Sequence, residues 1–345
     1  GMKYTVLSSE FNTLRTEGNL NNEIGLPKTI FGLEGSHEAA VLEMGMNHAG
    51  EISLLSRAGA PTVAVITNIG VAHIGNLGSR EGILAAKLEI LDGMAQDAPL
   101  ILNGDDDMLS AVGSQTREII FYGINDPRCS FRAENITSHD DGVRFTAVHG
   151  DERADFFVPV PGRHNVYNAL AAAAAGSVVG ISLTQAALAI KDFAVEGMRQ
   201  RVSKIGKKTF LEDCYNSNPD SMRAAIDTLV SLRCEGRSII VMGDMLELGE
   251  LSENAHADIG RHTVQAGADV LLAFGEYSKA AVKAATEKGI WFASAFDDKH
   301  ELANTLFDLL GDGDCVLFKG SRGMKIEEIA AELYDKAVSE KNRKD

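Results

Sequence analysis

Asn68, His73 and Lys87 stand out first: an amide, an imidazole and a primary amine that follow an apolar strand within TVAVITNIGVAHIGNLGSREGILAAKLEI at 62–90. Those groups can orient, coordinate or neutralise an anionic substrate. Ligands of open α/β sheets gather outside the carboxyl ends of strands, where loops diverge and helix N-termini point inward. The placement therefore predicts function at this turn. The plain alternatives are a hydrogen-bonded loop histidine and a solvated lysine on a helix starting near 79–81. A second polar set lies at strand ends farther on: Asp213, Asn216 and Asn218; Gly243 and Asp244; Gly275; and Lys319, Gly320, Ser321 and Arg322.

The elements that must position these residues are legible from periodicity. Tyr4, Leu7 and Phe11 recur at helical spacing, a turn-rich segment covers 16–27, and AAVLEMG at 39–45 reads as a strand carrying Glu43. A helix over about 50–58 leads to the strand at 61–67, and PLILN and EIIFYG are further buried strands. Alternating residues over 131–160 around Asp140, Asp141 and Gly142 predict antiparallel hairpins. From about Glu196, strands centred on Phe210, Ile240, Leu272, Phe292 and Leu317 alternate with helices at 219–233, 253–266, 276–288, 297–310 and 325–337. The pattern predicts an α/β protein of two domains, 1–195 with a mixed sheet and 196–345 with a Rossmann-like, doubly wound parallel sheet.

With 345 residues the chain can bury two cores, and 33 basic against 49 acidic residues give a net charge of −16. That charge argues against nonspecific binding to nucleic acid or to an anionic membrane. Cys129, Cys214, Cys234 and Cys315 are widely spaced and form no CxxC, so they read as reduced cytosolic thiols rather than a zinc site or disulfide framework. The alanine-rich run at 169–183 is too short to span a bilayer and reads as a packed soluble helix. No signal-peptide pattern is visible at the start, and a cytoplasmic monomer is expected. Neither GxGxxG after a strand nor the phosphate loop GxxxxGK[ST] occurs; KIGKKT at 204–209 and KGSRGMK at 319–325 lack the leading glycine.

Seven strings in order, TEGNLNNEIGLP (16–27), EMGMNHAGEI (43–52), TNIGVAHIGNLGSREGILAAKLEI (67–90), GRHNVYNALAA (162–172), EDCYNSNPDSM (212–222), GDMLELGELSENAH (243–256) and KGSRGMKIEE (319–328), resemble the Mur ligase family, the ATP-dependent amide ligases of peptidoglycan synthesis. The YNSNP, GDMLELGE and KGSRGMK strings are similar to the branch that adds D-alanyl-D-alanine. The resemblance implies activation of the carboxylate of a UDP-MurNAc-tripeptide by ATP to an acyl phosphate, followed by attack of the D-alanyl-D-alanine amine. It implies Mg2+ held by Glu43 and His73, with Mn2+ as a substitute, and carbamylation of Lys87 into an anionic oxygen ligand.

By the same resemblance Asn168 lies beside adenine, and Arg199 and Asp213 contact the γ-phosphate and the ribose. Asn19 and Asn22 approach substrate or phosphate, and Asn216, Asn218, Lys319, Ser321 and Arg322 face the acceptor dipeptide or the activated carboxylate. Plain structural roles for these residues are helix caps, turns and surface ion pairs; for Cys214 a packing role is expected.

Family members carry an amino-terminal UDP-binding domain and a phosphate loop before the helix on which this sequence opens. The resemblance thus implies a P-loop-type central ATPase domain truncated at its N-terminus. Lys3, with no glycine-rich turn before it, does not replace the loop lysine, and the polypeptide alone is expected to be inactive. The competing readings are a noncatalytic binding module derived from the ligase and a sister ligase of the folylpolyglutamate type.

Overall fold

The computed structural model describes residues 1–114, 116–195, 197, 199–232 and 234–344, with side chains up to 336. Glu196, the expected first residue of the second domain, and Arg233, the expected last residue of a helix, lie outside the described residues. So does the side chain of Ala337. The chain separates into two compact units, Gly1–Ala194 and Val195–Asp345.

The first unit runs α1 (Met2–Leu7), β1 (Thr13–Arg15), α2 (Gly25–Ile30), β2 (Ala39–Val41), α3 (Glu51–Gly59), β3 (Ala64–Ile66), α4 (Ile74–Leu77), α5 (Arg80–Leu88), β4 (Leu100–Asn103), β5 (Ile119–Gly123), β6 (Phe131–His139), β7 (Gly142–His149), β8 (Glu152–Val158), α6 (His164–Val178) and α7 (Leu183–Ile190). Strands β3 to β8 form one sheet in sequence order; β3 to β6 pair in parallel and β6 to β8 antiparallel. The switch follows the residue pattern. Leu100, Ile101 and Leu102 of β4 are all buried, as a strand covered on both faces requires, whereas β7 and β8 alternate. Gly142 opens β7 at φ 147°, and a Cβ there would meet the Val158 carbonyl oxygen at 2.0 Å, so only glycine fits the hairpin.

Strands β1 and β2 form a separate parallel pair. The strand expected over 39–45 stops at Val41, which leaves Glu43 on the loop beyond it. Helix α6 buries Ala169 through Ala174, and a Cβ on Gly176 would come within 2.8 Å of Val6 on α1. Small side chains are thus what lets α1 lie close to α6. Among the described residues no helix is long and apolar enough to cross a membrane.

The second unit runs β9 (Arg201–Ile205), β10 (Lys208–Asp213), α8 (Pro219–Ser231), β11 (Ser238–Gly243), α9 (Ser252–Ala266), β12 (Val270–Phe274), α10 (Ser278–Glu287), β13 (Phe292–Phe296), α11 (Lys299–Leu309), β14 (Cys315–Lys319) and α12 (Glu327–Lys344). Its sheet has the order β13-β12-β11-β14-β10-β9, parallel except for β9, which pairs antiparallel with β10 and which periodicity did not reveal. Alternate residues feed two cores. Leu211, Ile240, Leu271 and Leu317 pack with Ile226 and Leu229 of α8, while Phe210, Ile239, Val316 and Phe318 pack with Leu302 and Leu306 of α11 and Ile329 of α12. Because β14 inserts between β10 and β11, their three carboxyl ends bring Asp213, Lys319 and Gly243 to one rim.

The cysteine expectation requires correction. Cys234 and Cys315, 81 positions apart, form a disulfide with Cα atoms 5.9 Å apart. Sequence separation concealed the contact: α8 runs back along the sheet, so the chain just after it reaches the end where β14 begins. Cys129 and Cys214 are buried free thiols.

Candidate functional site

In the first unit the candidate groups sit on loops at strand ends. Glu43 is exposed; its backbone N–H donates to Thr16 Oγ1 at 2.9 Å, and its Oε1 accepts from Asn21 Nδ2 at 3.0 Å. The loops after β1 and β2 therefore fix this carboxylate together. Asn21 and Thr16 were missed by sequence reasoning, which selected Asn19 and Asn22. Asn22 instead spends its Oδ1 on the N–H groups of Ile24 (3.2 Å) and Gly25 (2.8 Å) where α2 begins, and the Asn19 carbonyl accepts from Asn21 N at 2.8 Å. Lys3 lies close enough to Glu43 to feel its charge. Burial lowers the pKa of its ammonium and the Glu43 carboxylate opposes that shift.

After β3 the chain passes through Asn68 to His73, which holds a left-handed conformation at φ 61°, ψ 16° just before α4. A non-glycine residue there persists only where its surroundings dictate it, and such positions cluster at functional sites. Lys87, in the last turn of α5, donates its Nζ to the Asn68 carbonyl at 2.6 Å. Ser79 caps α5 by accepting from Gly82 N at 3.1 Å. Asn168 is exposed on the second turn of α6, and its Nδ2 donates to Asn165 Oδ1 at 3.2 Å.

Among the described residues no group of three or more His, Cys, Asp and Glu side chains is placed to hold a metal ion. An all-protein cage is thus not built here. One carboxylate, oriented by an amide and with lone pairs to spare, fits a magnesium ion that takes most of its ligands from phosphate and water.

The second unit treats its candidates differently. Lys319, 1% exposed, donates to Asp213 Oδ2 at 2.5 Å and to the Asn216 carbonyl at 2.9 Å. The other Asp213 oxygen accepts from Gln200 N at 3.3 Å. Beside it the Arg199 guanidinium lies 3.9 Å over the Tyr215 ring, so the Arg199–Gln200 segment is held at both residues. Ser321, 4% exposed, donates its Oγ to the Ser217 carbonyl at 3.2 Å and accepts from Leu246 N at 2.9 Å. Asn218 caps α8 reciprocally with Ser221. Asn216 is exposed, and Arg322 pairs with Glu327 Oε1.

Behind this rim lies a buried support. Asp244 accepts from Ser278 N (2.8 Å), Ser278 Oγ (2.7 Å) and Tyr277 N (3.3 Å), and a Cβ on Gly275 would meet its carboxylate at 2.5 Å. Fully buried His256 accepts from Met245 N at 2.9 Å, and burial depresses its pKa, which keeps the imidazole neutral as that bond requires. Cys214 donates to the Phe318 carbonyl, and burial pushes its thiol up to about 12, the profile of a packed rather than a nucleophilic cysteine.

Residues 2–176 match the Mur ligase middle domain and residues 199–322 match the family described as Mur ligase, glutamate ligase domain. The UDP-N-acetylmuramoyl-tripeptide--D-alanyl-D-alanine ligase of Bacillus subtilis is 39% identical over 344 residues, 98% of this chain and 73% of that protein. The enzyme of the same name from Escherichia coli is 36% identical, over 97% of this chain and 74% of its own length. A crystal structure of MurF from Acinetobacter baumannii matches with a TM-score of 0.90 at 32% identity, covering 97% of this chain and 73% of that one. MurF of Thermotoga maritima in complex with ADP, at 24% identity and a TM-score of 0.87, shares the fold over 98% of this chain and 77% of its own. Two family matches in order along the chain, joined to relatives at more than a third identity over nearly all of it, place the chain in the Mur ligase family.

Proposed function

We propose that the chain belongs to the ligases that join D-alanyl-D-alanine to the carboxylate of a UDP-MurNAc-tripeptide in the cytoplasm at the expense of ATP. Residues 1–195 would serve as the ATP-binding domain and 196–345 as the ligase domain. The observation that carries the reading is the 39% identity to the B. subtilis ligase over 98% of the chain. The exposed Glu43 and the Asn68–Lys87 pairing support it from the geometry.

Glu43 and His73 would hold Mg2+, which supplies positive charge beside the phosphate groups when bound. Asn21 orients Glu43 for that role. Lys87 would act as a carbamate; because a carbamate retains one N–H, the bond to the Asn68 carbonyl survives the modification. Arg199, steadied by Tyr215, would meet the γ-phosphate. Asn168 would serve the adenine. Lys319 and Asp213, by contrast, neutralise each other inside the fold, so we assign them to shaping the Asn216–Asn218 loop rather than to direct contact with substrate.

The sequence contains no phosphate loop, and backbone donors to a developing anion are worth roughly 3 kcal/mol each. The 345-residue polypeptide alone is therefore proposed to make no amide. The reading is tested by joining to it the preceding part of the B. subtilis ligase and following amide formation with UDP-MurNAc-tripeptide, D-alanyl-D-alanine and MgATP. Product from the joined protein alone is expected. A joined, folded protein that uses a different acceptor, or none, overturns the assignment.

A further inference from the structure

Three consecutive aspartates after β4 have no place in the site described so far, yet two of them reach the turn that carries His73. Ile69, 1% exposed, follows Asn68 and opens that turn. Its N–H donates to Asp106 Oδ2 at 2.7 Å. Its carbonyl oxygen accepts from Arg80 Nε at 3.2 Å and from Arg80 Nη2 at 2.9 Å. Arg80 sits in the first turn of α5, and Asp107 grips the same guanidinium through both carboxylate oxygens, with Nη1 to Oδ2 at 2.8 Å. The second Asp106 oxygen accepts from Met108 N (3.1 Å) and Leu109 N (2.9 Å), which fixes the carboxylate itself.

The segment 70–79 is thereby a loop closed at its neck. One aspartate holds the N–H of the neck residue, and the next holds the arginine that takes its carbonyl. One residue before the neck, the Asn68 carbonyl receives Lys87. Within the loop His73 adopts its left-handed conformation, and its carbonyl accepts from Asn76 N at 3.0 Å and Leu77 N at 3.2 Å in α4.

We propose that Asp106, seconded by the Arg80–Asp107 pair, is a positioning residue that sets the direction in which His73 and the Asn68 carbonyl face the nucleotide site. The inference rests on the ligase reading for the meaning of His73, while the clasp itself is a matter of geometry. Asp105 marks the contrast. Its carboxylate accepts from Ile124 N (2.6 Å), Asp126 N (2.7 Å) and Tyr167 Oη (2.8 Å), and so secures the loop after β5 rather than the His73 turn.

The test follows the His73 Cε1–H and Ile69 amide resonances of the full chain by NMR, assigned through His73→Gln. Asp106→Ala is expected to move both resonances and to speed amide exchange across 69–79 by about tenfold. Asp105→Ala, which removes more accepted bonds than Asp106→Ala does, including those from Asn125 N and Nδ2, should move Ile124–Asp126 and leave His73 in place. Arg80→Lys puts a single ammonium nitrogen where the planar fork placed three donor nitrogens, so it cannot reach Ile69 and both Asp107 oxygens in the same geometry; it should displace His73 in a protein whose Asp106 is intact, and it also serves if Asp106→Ala does not fold. A His73 resonance that ignores Asp106→Ala and Arg80→Lys, or that moves equally in Asp105→Ala, overturns the proposal. Either result leaves amide synthesis, the test of the ligase reading, untouched.

Discussion

The two halves of the chain place the same kinds of residue at strand ends and use them in opposite ways. At the first unit's rim Glu43 and Asn68 remain exposed while neighbouring side chains hold their backbone: Thr16 for Glu43, Lys87 for Asn68, and Asp106 with Arg80 for Ile69. At the second unit's rim Lys319, Asp213 and Ser321 turn inward and satisfy their polar groups there, with Lys319 on Asp213 and Ser321 between Ser217 and Leu246, while Asn216 and Arg322 stay exposed. The first arrangement leaves the Glu43 carboxylate exposed. The second consumes charge to give a loop its shape, so a functional motif and a structural one can share residue types.

That contrast gives its largest expected effect at Lys319. Lys319→Met leaves the Asp213 carboxylate buried without its cation and should cost about 3–5 kcal/mol in chemical denaturation. A loss below about 1 kcal/mol would show that the inward half is not charge-locked. Reduction of Cys234–Cys315 comes next, at about 2–4 kcal/mol, read as a fall in Tm with added thiol that a Cys234→Ser/Cys315→Ser variant no longer shows. Asn218→Ala removes a reciprocal cap and should cost about 1 kcal/mol. Glu43→Gln should leave stability within about 0.5 kcal/mol, since the side chain is exposed, yet abolish amide synthesis in the joined protein. Unchanged synthesis would break the comparison from the other side.

What the sequence made legible follows the same divide. Strands such as β4, β11 and β14 announce themselves because burial on both faces demands unbroken apolar runs, and α6 because its alanines have one use in such a setting. Strand β9 escaped because Arg201–Ile205 lies at an edge, where polar residues are tolerated and no burial pattern accumulates. In the site, the polar turn after a strand drew attention to His73 and Lys87 and the family resemblance added Glu43, but nothing local distinguishes Asn21 from Asn22; the three-dimensional path of the loop decides which meets the carboxylate. Nor does composition reveal that Lys319, the last residue of a buried strand, has its partner 106 positions away. Pairings of that separation, the disulfide included, are products of topology.

The Cys234–Cys315 bond also makes the second unit partly circular. It closes a covalent ring that contains β11 to β13 and α9 to α11, while α8 and the rim-bearing end of β14 lead out of it. A protease that cuts once within that ring leaves the polypeptide in one piece, and only a thiol separates the halves. In gels of a nicked sample the chain should migrate whole without reductant and as two bands with it.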